Sequence, residues 1–216
     1  MSITVFLADD HAVVRDGLKA LLEADPEIKV VGGADNGRDA VLQVIQLKPE
    51  VVIMDIAMPE LNGIEAAQQI LEAEPAIHVI ILSMHSTSEH IFRALQVGSR
   101  GYLLKESAGS EVVHAVHAVK AGQRYMSKRI SDDVVAGYLL HHKTSEIVSP
   151  LERLSQRERQ IFQLVAEGKS SATIAESLFL SPKTVDTYRS RLMKKLDVDD
   201  YASLIKFAIE HNIIST

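Results

Sequence analysis

Apolar residues are distributed over the first 122 positions in two alternating rhythms. Short unbroken runs occur at 3–8, 28–33, 51–54, 77–83 and 101–104, with little polar alternation inside them. Such runs predict strands buried on both faces, as in a parallel sheet. Between the runs, apolar residues recur at helical spacing. The segment 12–24 places Val14, Leu18, Leu21 and Leu22 on one face before Asp25-Pro26 breaks it. Further helices are expected at 37–47, 63–74, 88–97 and 110–121. Five strands alternating with five helices predict an α/β fold, a doubly wound five-stranded parallel sheet of order 2-1-3-4-5.

The rhythm changes after Gly122. Residues 124–127 lead out of the last helix, and 131–141 carries Val134, Val135, Tyr138 and Leu139 at helical spacing. The following stretch to Pro150 has no period and reads as a linker. His141 and His142 are adjacent and share no helical face, so they are not read as a metal site. From residue 150 the pattern is purely helical. Ser155 and Glu158 make a capping box ahead of Ile161, Leu164 and Val165, and Gly168 closes that helix. A second short helix is expected at 173–178. Ser181 and Pro182 start a third, running to about Leu196, with Val185, Leu192 and Leu196 inward. A fourth covers 201–211. These four helices predict an all-α second domain with a helix-turn-helix. The expected domains are therefore 1–122, a linker with one helix at 123–149, and 150–216.

Composition adds three constraints. The chain of 216 residues is 46% apolar and 24% charged, the balance of a soluble globular protein. It has no cysteine, which excludes disulfides and thiolate metal sites. No leader or membrane span is visible, so a cytoplasmic location and no membrane partner are expected. Charge is uneven: residues 1–149 carry 13 Lys and Arg against 20 Asp and Glu, a balance of −7, while 150–216 carry 10 against 9, a balance of +1. Two units with different partners are implied.

The predicted topology gathers the carboxyl ends of the strands on one edge, where open α/β sheets bind their ligands. The residues there are Asp9, Asp10, Asp55, Ser83 and Lys105. Three carboxylates repel one another unless a cation binds, and an all-oxygen set that retains waters favours Mg²⁺ over Ca²⁺. Such a metal would neutralise an incoming phosphoryl group, Lys105 would pair with one of its oxygens, and the Ser83 hydroxyl would bond another. Asp55 is then the nucleophile, giving an aspartyl phosphate. His11, His85 and His90 lie near this edge and are read as surface residues.

Asp9-Asp10, then Asp55 with Met58-Pro59 and Gly63, then Ser83, then Gly101-Tyr102-Leu103-Leu104-Lys105 resemble a response-regulator receiver domain over residues 3–122. The resemblance implies phosphoryl transfer to Asp55 from a sensor histidine kinase. It implies that Asp10, Asp55 and the Ala57 carbonyl ligate Mg²⁺, with Asp9 acting through water, and that Ser83 and Tyr102 are a switch pair whose ring turns inward. Many receivers have proline directly after the lysine; here Glu106 follows Lys105, which puts the geometry of that loop in question.

The third carboxyl-terminal helix carries Lys183, Arg189, Arg191, Lys194 and Lys195 against Asp186 alone, a basic footprint suited to DNA. With Leu154 to Glu158, Glu167-Gly168, Ile174-Ala175 and Leu180 to Val185, it resembles the DNA-binding domain of LuxR-type regulators over 152–212. Together the two halves resemble a NarL/FixJ-type response regulator. The resemblance puts Pro182 to Leu196 in the major groove, with Asp186, Thr187 and Ser190 near bases. Lys183, Thr184, Arg189, Arg191, Lys194 and Lys195 complete the DNA-contacting set, the cations meeting phosphates. Asp186 stands where the family often has lysine; an acid repels phosphate but can accept from a cytosine amino group. The last helix is the family's candidate dimer surface, and a homodimer on inverted half-sites is expected on phosphorylation.

Two other classes fit less well. An aspartate-dependent phosphatase needs an acid two residues after its nucleophile, where this chain has Ala57, so no enzyme is expected. A phosphorylation-independent DNA binder would leave the complete acidic set without a purpose.

Overall fold

The computed structural model describes residues 2–84, 88–130, 150–211 and 213–214, and only the backbone of 88, 89 and 152. The chain divides into two compact units, an α/β unit in the first part and a helical unit in the second. The helix expected at 131–141, most of the linker, the pair His141-His142, and His85 lie outside the described residues.

In the first unit, strands β1 (Ile3–Ala8), β2 (Ile28–Ala34), β3 (Val51–Asp55), β4 (His78–Ser83), β5 (Gly101–Leu104) and β6 (Tyr125–Met126) form one sheet. Its order is β2-β1-β3-β4-β5-β6, and every pairing is parallel. Helices α1 (Ala12–Glu23), α2 (Gly37–Leu47), α3 (Gly63–Ala73), α4 (Ser88–Gln96) and α5 (Lys105–Lys120) connect the strands. Val5, Leu7, Ile53, Ile80 and Leu103 pack on one side with Leu18 and Leu22 of α1 and Val112 and Val116 of α5. The alternate residues Phe6, Val52, Met54 and Val79 are buried as well. That is why the strands read as continuous apolar runs, and each such side chain contributes about 1.5–3 kcal/mol of burial.

The sheet has one strand more than the five expected. Tyr102 pairs with Met126, and Ser127 then donates its N–H to the Tyr102 carbonyl at 3.1 Å. The Ser127 hydroxyl donates to Glu111 at 2.5 Å and fixes this short strand to α5. Two residues carry too little alternation to announce a strand. Helix α5 also starts earlier than the expected 110. Leu104 is extended and Lys105 is already the first helical residue. With Glu106 in place of proline, nothing opposes direct entry into a helix. Gly109, a weak helix former, misplaced the predicted start.

The second unit opens with a 3₁₀ turn (Pro150–Arg153) that the sequence did not announce, followed by α6 (Gln156–Ala166), α7 (Ser171–Leu178), α8 (Pro182–Leu196) and α9 (Tyr201–Glu210). The capping box of Ser155 and Glu158 is present in both directions. Helix α7 begins two residues before the expected 173, because Ser170 caps it by accepting from the Thr173 N–H. Phe179 then turns the chain in the left-handed region at φ 55°, and Ser181 caps α8 through the Thr184 N–H. Ile161, Phe162, Val165, Ile174, Val185, Leu192, Leu204 and Ala208 form the core. The Tyr201 hydroxyl donates to the Val165 carbonyl at 2.6 Å, tying α9 to α6. No helix of the described residues is long and apolar enough to cross a membrane.

Candidate functional site

Register decides what meets at the strand ends. Ala8 lies beside Met54, Asp55 beside Leu82, and Ser83 beside Leu104. The residue after each of β1 and β5, and the last residue of β3 and of β4, therefore arrive level at one edge. Lys105 Nζ sits 2.8 Å from Asp9 Oδ2 and 3.0 Å from Asp55 Oδ2. Asp9 and Asp55 are almost fully buried, while Asp10 keeps part of its side chain in solvent. The sequence-predicted set of Asp9, Asp10, Asp55, Ser83 and Lys105 thus converges, with the Ala57 segment of backbone directly after β3.

Position has a clear electrostatic consequence. Burial, with the nearby Asp9 and Asp10 adding to it against the pull of Lys105, pushes the Asp55 carboxyl up to about 6. For Lys105 burial works against the charge, yet Asp55 and Asp9 outweigh it and raise the amine above its ordinary range. One ammonium thus bridges two buried carboxylates, with Asp10 beside them. Asp9 Oδ2 and Asp55 Oδ2 share the single Lys105 ammonium, Asp10 Oδ1 lies against His11 Nδ1, and beyond these charged contacts none of the three buried oxygens accepts a hydrogen bond. Buried anionic oxygens in that state are costly, and an all-oxygen set suits a hard divalent cation. The residues therefore fit Mg²⁺.

Of the described histidines near this edge, His11 is exposed as expected and His90 is not. His11 Nδ1 lies 2.7 Å from Asp10 Oδ1, so this mostly exposed side chain joins the acidic group. Its ligand atom and those of Asp9, Asp10 and Asp55 all fall within 4.8 Å of one another. His90, expected at the surface, is only 2% exposed. It lies on the inner side of α4 with Ile91 and Ala94, a face that a nine-residue helix with an ionisable residue on it did not advertise.

Ser83 and Tyr102 are side by side. Burial pushes the Tyr102 phenol up to about 12, opposed by a hydrogen bond with Ser83 and reinforced by the Asp55 charge. The ring is wholly buried. Gly63 completes the site. A Cβ there would stand 1.8 Å from the Asp55 carbonyl oxygen, and its N–H donates to the Ile56 carbonyl at 2.9 Å. The glycine is required by space rather than by its dihedrals, because α3 must start against the backbone of Asp55.

On α8 the cations separate into two groups. Lys183, Arg191 and Lys194 are exposed and make no ion pair with the described residues. Lys195 instead donates to Glu158 Oε2 at 2.7 Å and to the Arg153 carbonyl at 3.1 Å. Arg189 Nη1 donates to Ser171 Oγ at 3.1 Å, and Ser171 donates to Asp186 Oδ1 at 2.6 Å. Thr184 shares its hydroxyl with Ser181 at 2.8 Å, Thr187 donates to the Lys183 carbonyl at 2.9 Å, and Ser190 is exposed. Ser171 was missed by sequence reasoning, and only its spacing from Asp186 on adjoining helices could have suggested it.

Comparison with known proteins gives a consistent picture. Residues 5–117 match the family model for the response regulator receiver domain, and residues 152–208 that for bacterial regulatory proteins of the luxR family. The chain is 38% identical over 211 residues to the Response regulator UvrY of Escherichia coli (strain K12), spanning 98% of this chain and 95% of that protein. It is 35% identical over 214 residues to the Oxygen regulatory protein NreC of Staphylococcus haemolyticus (strain JCSC1435), spanning 97% and 98%. Among solved structures, a LuxR-family two-component response regulator from Aurantimonas sp. SI85-9A1 superposes with a TM-score of 0.62 at 32% identity, over 64% of this chain and 99% of that one. The complex of the response regulator RcsB with DNA superposes with a TM-score of 0.59 at 25% identity, over 96% and 98%.

Proposed function

The chain belongs to the two-component response regulators that join a receiver domain to a LuxR-type DNA-binding domain, and on that premise we propose that phosphoryl transfer to Asp55 controls how α8 engages DNA. The observation that carries this reading is the buried, mutually repelling carboxylate set around Asp55, bridged by Lys105. Asp10, Asp55 and the Ala57 carbonyl would hold Mg²⁺, with Asp9 behind them through water; bound there, the ion neutralises phosphoryl oxygens. An Asp55 carboxylate oxygen attacks the phosphorus of a kinase phosphohistidine. The new P–O bond forms as the P–N bond breaks, and the imidazole leaves and takes up a proton. Lys105 swings its charge from two carboxylates to the phosphoryl group, and Ser83 supplies a hydrogen bond. The Ser83 hydroxyl then leaves Tyr102, and the strand end carrying both is biased to a second arrangement.

The domains are read as 1–122, 123–149 and 150–216, with β6 continuing the first sheet beyond that first boundary. Ala57 stands where a hydrolase would place a second acid, which supports a regulator rather than an enzyme. Exposed Tyr201 and Ile209 on α9 support a homodimer on inverted half-sites. Incubation with a small phosphodonor and Mg²⁺ is expected to load one phosphoryl group per chain, labile to hydroxylamine and blocked by chelator, and to tighten binding to duplex DNA. Labelling that ignores Mg²⁺, or that leaves DNA affinity unchanged, would sink the proposal.

The two adjacent lysines of α8 give a sharper check. Lys194→Ala removes a free cation, so the slope of log affinity against log salt should fall by about 0.9 for each phosphate no longer neutralised, with urea stability unchanged. Lys195→Ala removes a partner of the buried Glu158, whose carboxyl is held below its ordinary range by Lys195 and the Ser155 cap against the effect of burial. That variant should lose about 1 kcal/mol of stability in a urea titration and show the smaller salt effect.

A further inference from the structure

Asp186 is the unexpected residue of α8, an acid on a helix surface otherwise built of cations. Its carboxylate is not loose. Ser171, the first residue of α7, donates its hydroxyl hydrogen to Asp186 Oδ1 at 2.6 Å. The same oxygen of Ser171 accepts from Arg189 Nη1 at 3.1 Å. The direction of this relay is forced by chemistry. A carboxylate has no hydrogen to give and a guanidinium has no lone pair to offer, so the hydroxyl must point its hydrogen at Asp186 and its lone pair at Arg189. Both bonds are charge-assisted; the one to Asp186 is short, and the one from Arg189 is of ordinary length.

Two consequences follow for the helix surface. Arg189 is half-buried and spends one nitrogen on Ser171, which sets it apart from the freely exposed Lys183, Arg191 and Lys194. The Asp186 carboxylate is anchored by Oδ1, while its Oδ2 has no protein partner among the described residues. An anchored anion beside an offsetting guanidinium is tolerated near phosphates better than a free one. Its remaining oxygen is a fixed acceptor, suited to an exocyclic amine on a base edge. In the major groove the cytosine N4 amino group is that donor.

We propose that Ser171 is a specificity-determining positioning residue. By holding Oδ1 of Asp186 it presents Oδ2 to the N4 amino group of one cytosine per half-site. The proposal rests on the reading that α8 binds DNA. Threonine at 171 can reproduce the relay, and alanine removes it without touching the core.

The test uses the full-length protein loaded by a small phosphodonor with Mg²⁺, and a library of duplexes randomised over one half-site. The wild type is expected to select a G·C pair at one position, with about tenfold loss when that pair becomes A·T. Asp186→Ala should abolish the preference. Ser171→Ala should reduce it to about two- or threefold at unchanged salt slope and unchanged thermal melting, and Ser171→Thr should restore it. Identical base preferences in the wild type, Asp186→Ala and Ser171→Ala, with salt-dependent binding intact, would overturn the Asp186–cytosine contact and the role of Ser171 in it, while the DNA-binding reading of α8 would stand. Duplex binding by the wild type that is insensitive to salt would overturn the DNA-binding reading of α8, and this proposal with it.

Discussion

Replacing Gly63 by alanine is expected to cost the α/β unit about 3 kcal/mol and to abolish phosphoryl loading of Asp55. The added Cβ would fall 1.8 Å from the Asp55 carbonyl oxygen and 3.0 Å from Met54 Cγ. A flexible side chain could yield to such an approach. Here the nearer atom is backbone at the end of β3, and β3 is paired on both sides, with β1 and with β4. Either the start of α3 moves away, breaking the Gly63 N–H bond to the Ile56 carbonyl, or Asp55 itself shifts. A shift of Asp55 moves its carboxylate relative to Lys105 and Asp9, which costs the geometry on which phosphoryl transfer depends. Urea unfolding and hydroxylamine-sensitive labelling measure the two effects separately. A variant that matched the wild type in both would show that the β3–α3 turn is looser than its packing indicates.

Asp55→Asn is expected to act in opposite directions on function and stability. Phosphodonor-dependent DNA binding should disappear, because an amide has no nucleophilic oxygen of comparable strength. The apo protein should become more stable at neutral pH. The Asp55 carboxyl titrates at about 6 in the folded chain, against an ordinary 3.8, chiefly because it is buried. A folded-state value above the unfolded one means that the folded chain binds the extra proton between these limits. Its stabilising contribution is complete below about pH 4, fades as pH rises through 6, and is absent at about pH 7.5. The wild type should therefore lose on the order of 2–3 kcal/mol across that window, and the asparagine variant should not lose it. In chelator, urea midpoints of the two proteins should converge near about pH 4 and diverge towards about pH 7.5, with the variant higher. Added Mg²⁺ should close the gap by stabilising only the wild type. A gap that is constant with pH would mean that Asp55 is not strained by burial.

Much of the acidic edge was readable in order along the chain. An apolar run of two-faced burial has to end in a polar residue, and the topology sends every such end to one side, so Asp55 and Ser83 could be placed without coordinates. Lys105 was readable for the same reason, although not as the first turn of a helix. What failed was short or ambivalent. β6 is two residues long, α5 begins beneath a weak helix former, and His90 lies on the inner face of α4 despite its polar ring. In each case packing outvoted local preference, and packing is not encoded in any window of a few residues.

Periodicity and turn chemistry by themselves determined the parallel sheet, the four carboxyl-terminal helices with the capping serines Ser155 and Ser181, and the identity of the acidic edge. These depend on backbone geometry that repeats every two or 3.6 residues, so the linear order carries them. Tertiary structure alone decided how the charges are spent. Lys194 and Lys195 are neighbours with the same side chain, yet one is exposed without an ion pair among the described residues and the other is bound to Glu158, 37 residues away. Asp186 is joined to Arg189 through a serine on another helix, and Gly63 is required by a carbonyl at the end of β3. Each depends on which atoms the fold brings within about 3 Å of one another, a distance that sequence separation does not set.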